Sequence, residues 1–314
     1  IMDRIVYTGP EYSIKILQQR LGNMFKIVCV EPTPEDLLPE FEKCTVFLDA
    51  SMKVPIDDIS ISKATKLKLV ITATTGANHI DGLALEQRNV PLLTLKGQTE
   101  LLHSLTPAAE LNWSLIMACA RKLRGAFHHV ENSSWERVEF PGVLLKDRTI
   151  GIIGMGRLGN WTARYANAFG MRILGYDPYN NEFPKYVERA SLEEIMKESD
   201  VVSIHVHLSD ETTGMISKEL INKVKTGAIF VNTSRGELTD ESALVEALKS
   251  GQLSSVGVDV LSGEPDIEKS PLWKYSKKNN NVIITPHIGG FCPDAVNKVV
   301  DFSCSRILDF FNNK

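Results

Sequence analysis

Short apolar runs rich in β-branched residues alternate along the chain with longer segments whose apolar residues recur at helical spacing. The first series of runs is RIVYTG (4–9), FKIVCV (25–30), TVFLDA (45–50), KLVITATT (68–75) and VPLLTL (90–95). The second is TIGIIG (149–154), RILGYD (172–177), VVSIHV (201–206), AIFVNT (228–233), SSVGVDV (254–260) and NVIIT (281–285). Such alternation predicts mostly parallel sheets with covered faces, because parallel strands need a crossover helix between them. YSIKILQQRLG reads as one such helix, with Gly22 as its stop. Between the series, LTPAAELNWSLIMACARKLRGAF (105–127) predicts one long helix with Thr106 as cap and Pro107 in its first turn. A last helix is expected from about Pro293 to Phe311. The pattern gives two α/β units, the first ending near His103.

Composition narrows the class. With 314 residues the chain is long enough for two domains and a large core. A net charge of −4 offers no electrostatic footprint for nucleic acid. No apolar run approaches the roughly 20 residues that span a bilayer, and no membrane association is expected. Met2, following Ile1, reads as the natural start, with no signal-peptide stretch after it. The five cysteines (29, 44, 119, 292 and 304) are odd in number and scattered. They argue against a disulfide framework and against a structural metal site, and predict reduced thiols in a cytoplasmic protein.

The chemistry begins at GIIGMGRLGNW. Gly154-x-Gly156-x-x-Gly159 directly follows a strand run and opens a helical pattern, the context a dinucleotide fingerprint requires. Gly154 permits the tight turn, Gly156 lets backbone approach a pyrophosphate, and Gly159 lets helix and strand pack closely. The free N–H groups at the helix start then hold the phosphates. Asp177, ending the next run, suits a ribose diol and repels a 2′-phosphate, so NAD is favoured over NADP. Lys185 and Arg189 are the nearby cations that would have to fold back to reverse that preference.

Three further stretches name a reaction. VNTSRGEL places Arg235, VDVLSGEP places Asp259 and Glu264, and ITPHIGG places His287, each just after a successive strand run. Singly, these read as a surface cation, a loop charge and a strand-terminating histidine. Together, beside a nucleotide motif, they bring an arginine, a carboxylate and an imidazole to the sheet edge where ligands of open α/β folds bind. A guanidinium forks onto a carboxylate, an imidazole exchanges a proton with a forming alkoxide, and a neighbouring carboxylate orients the ring. That set suits hydride transfer at a carbon bearing oxygen, with the hydride carried by a nicotinamide.

Over nearly its whole length the chain resembles the D-isomer-specific 2-hydroxyacid dehydrogenase family, through GMGRLG with Asp177, NTSRG, DVLSGEP and TPHIGG. The resemblance implies two doubly wound parallel-sheet domains, with a Rossmann NAD-binding domain (104–287) inserted into a flavodoxin-like substrate domain (1–103 plus 288–314). It implies closure about hinges near His103 and His287. It assigns Arg235 to the substrate, His287 to acid–base chemistry and Glu264 to His287. Cofactor contacts would come from Gly154, Gly156, Arg157, Leu158, Gly159, Asp177 and His205. Thr233, Ser234, Arg235, Asp259, His287, Gly289 and Gly290 would complete that set. TTGANHID resembles the substrate loop, so the backbone of Thr75, Gly76, Ala77 and Asn78 would frame the substrate carboxylate, with His79 favoured as a polar loop residue over a supporting contact behind the loop. The expected partners are a small 2-oxo or 2-hydroxy acid and a second copy of the chain, joined through the NAD-binding domain with helix 105–127 at the interface. Glu264 stands where formate-acting members carry glutamine. No arginine lies between Arg20 and Arg88, where phosphoglycerate-acting members typically have one near the position of Asp49, and Lys53 is the nearest substitute. His207 stands where members often have proline. No C-terminal regulatory extension is expected. The alternatives are an NAD(H)-sensing binding protein resembling C-terminal-binding corepressors and, within the enzyme class, a phosphoglycerate dehydrogenase.

Overall fold

In the computed structural model, which describes residues 2–312, the chain divides into two compact units. One runs up to Leu105 and resumes at Phe291; the other is Thr106–Gly290.

The first unit is built on β1 (Asp3–Thr8), β2 (Phe25–Cys29), β3 (Val46–Asp49), β4 (Leu69–Thr72) and β5 (Leu92–Leu93). All pair in parallel, in the order β2-β1-β3-β4-β5. Side chains alternate between faces along each strand. Ile5, Tyr7, Leu48 and Ile71 meet the terminal helix Pro293–Asn312 through Val300, Cys304 and Ile307. Val6, Phe47 and Val70 pack on the other side against Leu37, Phe41 and Leu85. Two covered faces explain why the strand runs are apolar throughout rather than alternating.

The second unit contains β6 (Thr149–Ile153), β7 (Arg172–Tyr176), β8 (Val187–Arg189), β9 (Val201–Ile204), β10 (Ala228–Asn232), β11 (Leu253–Val258) and β12 (Val282–Ile284). Its seven parallel strands take the order β12-β11-β10-β9-β6-β7-β8. The chain builds outward from β6 to β8, crosses back beside β6 with β9, and builds outward again to β12. Neighbours β6 and β9 therefore send their following segments in opposite directions, which opens a crevice at their carboxyl ends.

Two elements depart from expectation. Strand β8 has no counterpart in the sequence pattern, because only Val187 of its three residues is buried. The long helix is also two, Pro107–Ala120 and Leu123–Glu131, with Lys122 in the left-handed region at φ 53°. Returning chain explains the break: Val143 N–H takes the Ala120 carbonyl at 2.8 Å, an acceptor the helix would need to continue. Thr106 precedes the first helix, but its hydroxyl pairs with Glu110 Oε1 at 2.5 Å rather than with backbone.

Phe230, fully buried on β10, packs within the cluster that includes Val202, Val256 and Leu244. Phe230→Ala should lower stability by about 3–5 kcal/mol through lost transfer energy and the cavity left behind. Urea unfolding measures this, and a loss below about 1 kcal/mol would contradict the packing of this sheet.

Candidate active site

The turn after β6 is shaped by contacts that only glycine permits. Gly154 has φ +96°, and a Cβ there would overlap the His205 carbonyl. Gly159 lies in the first turn of helix Arg157–Ala168, where a Cβ would strike the Gly154 carbonyl. At Gly156 a Cβ would meet nothing within 4 Å, so the outer side of this turn faces open space. Arg157 and Leu158 follow at the helix start, half-buried. A tight turn, an open outer side and a positive helix end fit the pyrophosphate of a dinucleotide.

Asp177 stands just past β7. Its Oδ2 accepts from Met155 N–H at 3.0 Å, and its Oδ1 from Tyr179 and Asn180 N–H at 2.9 and 3.0 Å. The carboxylate thus ties its own loop to the glycine turn. Arg189 does fold toward this loop, but onto the carbonyls of Asn180 and Asp177 and across the Phe183 ring.

His205 and Thr233 follow β9 and β10. Ser234 Oγ donates to the Ile204 carbonyl at 2.9 Å, and Asn232 holds both Ser234 N–H and the Arg235 carbonyl, so these two strand ends are cross-tied. His205 Nε2 lies 2.9 Å from Ser203 Oγ, while its Nδ1 is buried with no partner among the described residues. Burial pushes this imidazole down to about 3, so the ring is neutral at physiological pH.

Past β10, β11 and β12 come Arg235, Glu264 and His287. Gly236 packs so closely on the Leu261–Ser262 backbone that a Cβ would overlap it. The buried Glu241 takes Ser262 N–H at 2.8 Å and Ser270 Oγ at 2.5 Å, pinning both ends of the loop that carries Glu264. Glu264 Oε1 pairs with His287 Nδ1, and its Oε2 accepts from Leu261 N–H at 3.2 Å. Burial pushes the Glu264 carboxyl up, but hydrogen bonding and charge from His287, with the charge of Arg235, hold it below the ordinary 4.5. His287 adopts φ 53°, a left-handed conformation unusual for a side-chain-bearing residue. Asp259 stabilises it: 1% exposed, its carboxylate takes Thr285 Oγ1 at 2.5 Å, Ile288 N–H at 2.9 Å and Gly289 N–H at 2.7 Å. Its carbonyl takes His287 N–H at 2.9 Å. Gly289 is buried against Asp259 and Ala108, whereas Gly290 is exposed. With Nδ1 engaged by Glu264, Nε2 is the His287 atom left for a substrate.

In the first unit, the backbone N–H groups of Thr75, Gly76, Ala77 and Asn78 have no partner in the chain among the described residues. The loop is tied down by Thr74 Oγ1 on the Gly76 carbonyl at 2.7 Å and by Ile56 N–H on the His79 carbonyl at 2.8 Å. His79 is not simply a polar residue of its loop; it makes the supporting contact that is the other expectation. Its Nε2 lies 2.7 Å from Asp49 Oδ2, and the pair is 11% and 2% exposed. Burial raises the Asp49 carboxyl, but the bonds from His79 and Thr8 win and hold it below its ordinary value.

Residues 113–289 match the NAD binding domain of the D-isomer specific 2-hydroxyacid dehydrogenases, and residues 3–100 match the catalytic domain of that family. The chain belongs to this family and is an NAD-dependent oxidoreductase acting on hydroxy acids. It is 35% identical over 263 residues to a hydroxypyruvate reductase of Thermotoga maritima, covering 84% of this chain and 82% of that one. It is 34% identical over 303 residues to a D-3-phosphoglycerate dehydrogenase of Methanocaldococcus jannaschii, covering 94% of this chain but only 55% of the relative. Among solved structures, D-lactate dehydrogenase from Aquifex aeolicus complexed with NAD and lactic acid superposes with a TM-score of 0.81. It is 27% identical and covers 98% of this chain and 96% of that one.

The lowered Glu264 carboxyl predicts a pH dependence. The unfolded chain binds more protons at this group, so the pair stabilises the fold above 4.5, and that stability is lost as pH falls through the lower folded value. The stability gap between wild type and Glu264→Gln, measured by urea unfolding, should therefore narrow as pH drops well below 4.5. A gap independent of pH would contradict the pairing.

Proposed function

We propose that this chain reduces a small, non-phosphorylated 2-oxo acid to its D-2-hydroxy acid, using NADH in preference to NADPH. The observation that carries this reading is the Glu264–His287 contact at the carboxyl edge of the nucleotide unit, with His287 held in a strained backbone conformation by buried Asp259. Strain maintained by four hydrogen bonds is spent where a ring must be held in one position.

In the second unit, Arg235 anchors the substrate carboxylate and polarises its carbonyl. His287 Nε2 delivers the proton to the forming alkoxide, and Glu264 stabilises the charged ring and fixes its plane. The turn from Gly154 to Gly159, with Arg157 and Leu158, holds the pyrophosphate. Asp177 takes the ribose, His205 lies by the adenosine, and Thr233, Ser234, Asp259, Gly289 and Gly290 line the nicotinamide end. NAD supplies the hydride chemistry when bound. In the first unit, the unpartnered amides from Thr75 to Asn78 form an anion cradle for a carboxylate. Asp49, ionised and engaged by His79, places negative charge near that cradle, which disfavours a second anionic group on the substrate and so disfavours phosphoglycerate. The relatives, named as dehydrogenases and reductases, support an enzyme over a sensing protein.

Arg189 bears on the cofactor. Its guanidinium is engaged by loop carbonyls and Phe183, so Arg189 does not offset the repulsion between Asp177 and a 2′-phosphate. The homodimer is read from the segment after the expected interface helix. Pro107–Ala120 buries Leu115, Ile116, Cys119 and Ala120 in its own unit, whereas Phe127, Trp135, Val138 and Leu144 are 61%, 85%, 77% and 73% exposed. Apolar exposure of that extent on one segment suits a second copy of the chain. Five free cysteines fit a reducing, cytoplasmic setting.

NADH consumption against glyoxylate, pyruvate, hydroxypyruvate and branched, aromatic and phosphorylated 2-oxo acids tests the reading. One non-phosphorylated acid should dominate, with His287→Ala and Arg235→Ala each reducing kcat/KM by about 10²–10⁴. Wild-type rates in either variant would refute the assignment. Asp177→Ala should weaken NADH more than NADPH, and equal losses would remove its ribose role. Sedimentation should give a dimer that Trp135→Glu converts to a monomer; an unaffected dimer would place the interface elsewhere.

A further inference from the structure

Four polar side chains run through the second unit without a gap. His205 Nε2 lies 2.9 Å from Ser203 Oγ, Ser203 Oγ donates to Asn112 Oδ1 at 3.1 Å, and Asn112 Nδ2 donates to Thr233 Oγ1 at 3.2 Å. Ser203 and Asn112 are 0% exposed. Asn112 comes from helix Pro107–Ala120, so one side chain of that helix bridges the ends of β9 and β10. A fully buried asparagine among Ala109, Leu115 and Ile116 costs stability unless its amide is satisfied on both sides, and here it is.

Proton counting gives the chain one direction. Ser203 has a single hydroxyl proton, committed to Asn112, so His205 must be the donor between His205 and Ser203. The ring is therefore protonated at Nε2, and Nδ1 carries a bare lone pair. At the other end Thr233 accepts from Asn112, which leaves its own O–H uncommitted, and no other side-chain bond of Thr233 forms among the described residues. The reverse direction would put an N–H at Nδ1, which is buried and has no partner among the described residues. Orphaned buried donors are rarer than under-used acceptors, so the first direction is favoured. The ring's neutrality keeps a second proton from scrambling this order.

We propose that Asn112 is a positioning residue of the cofactor site. It fixes half-exposed Thr233 as a hydrogen-bond donor to an amide oxygen, the group a nicotinamide carboxamide presents, and holds His205 in the tautomer whose Nδ1 accepts. The proposal rests on the reading that NAD(H) occupies this sheet edge. Asparagine is suited to the position because its one amide both accepts and donates. Leucine of similar size does neither, and aspartate cannot donate.

The test compares wild type with Asn112→Leu by NADH titration, steady-state kinetics and ¹⁵N chemical shifts of the His205 ring. Asn112→Leu should raise the NADH Kd about tenfold, the effect of losing one well-placed hydrogen bond. The KM for NADH should rise with it, while the KM for the 2-oxo acid stays within about twofold. The His205 proton should move from Nε2 to Nδ1, as Ser203 loses its acceptor and turns to donate to the ring. Thr233→Val, which keeps shape but leaves Asn112 Nδ2 without its acceptor, should give the same loss of NADH affinity with the tautomer unchanged. If Asn112→Leu fails to fold, Thr233→Val alone decides, and unchanged NADH affinity in it overturns the proposal. Where both fold, the double variant should lose no more affinity than either single one. A lower melting temperature in Asn112→Leu, with NADH affinity and tautomer as in wild type, would reduce Asn112 to a structural role and overturn the proposal while leaving the enzyme reading intact. A wild-type protein that binds no NADH would overturn both.

Discussion

Parallel strand pairing is the constraint from which the site follows. Every strand in both sheets runs the same way, so each connection must return across a face and every strand ends at the same edge. In the second unit that edge collects Gly154, Asp177, His205, Thr233, Asp259 and Thr285, each the first residue past a strand. Residues more than a hundred positions apart meet there because the sheet gives them one address. The reversal between β6 and β9 then keeps a crevice open at that address.

What lies beyond the strand ends is held by buried carboxylates in addition to the packing of Val260 and Leu261. Asp259 and Glu241 are 1% and 8% exposed; Asp259 is satisfied by two backbone N–H groups and a hydroxyl, Glu241 by one of each. Burial pushes the Asp259 carboxyl above its ordinary value despite these bonds, so ionisation costs energy here. The return is rigidity in two loops, one turning His287 into a left-handed conformation and the other bringing Glu264 against it. Irregular loops have few apolar residues to fix them, and charge-assisted hydrogen bonds to backbone supply the directional restraint that packing cannot.

Helix Pro107–Ala120 joins these two layers of organisation. Its apolar side chains cover β10 and β11, with Leu115 and Cys119 seated over Gly257, where a Cβ would lie 3.2 Å from each. Asn112, set in that apolar surface, carries the polar link from Ser203 to Thr233. A single helix thus packs the sheet and orders the hydrogen bonds at its edge.

The sequence by itself determined the architecture and the inventory of reactive groups. Of the twelve strands among the described residues, nine lie wholly within the apolar runs and β1 and β11 start one residue earlier, because doubly covered strands must be apolar throughout, and the glycine turn is legible because Gly154 and Gly159 answer steric demands. Tertiary structure alone decided the rest. Strand β8 exists because β7 offers it an edge, since its own three residues carry almost no pattern. The helix from Pro107 stops where returning chain takes the Ala120 carbonyl, an event the local periodicity does not contain. His79 is paired because Asp49, thirty positions earlier, ends the neighbouring strand. Asn112 stands out in an apolar helix, but its partners on β9 and after β10 follow only from strand order. Periodicity is set by neighbours in sequence and can be read there; the pairing of polar groups is set by neighbours in space, which the fold alone provides.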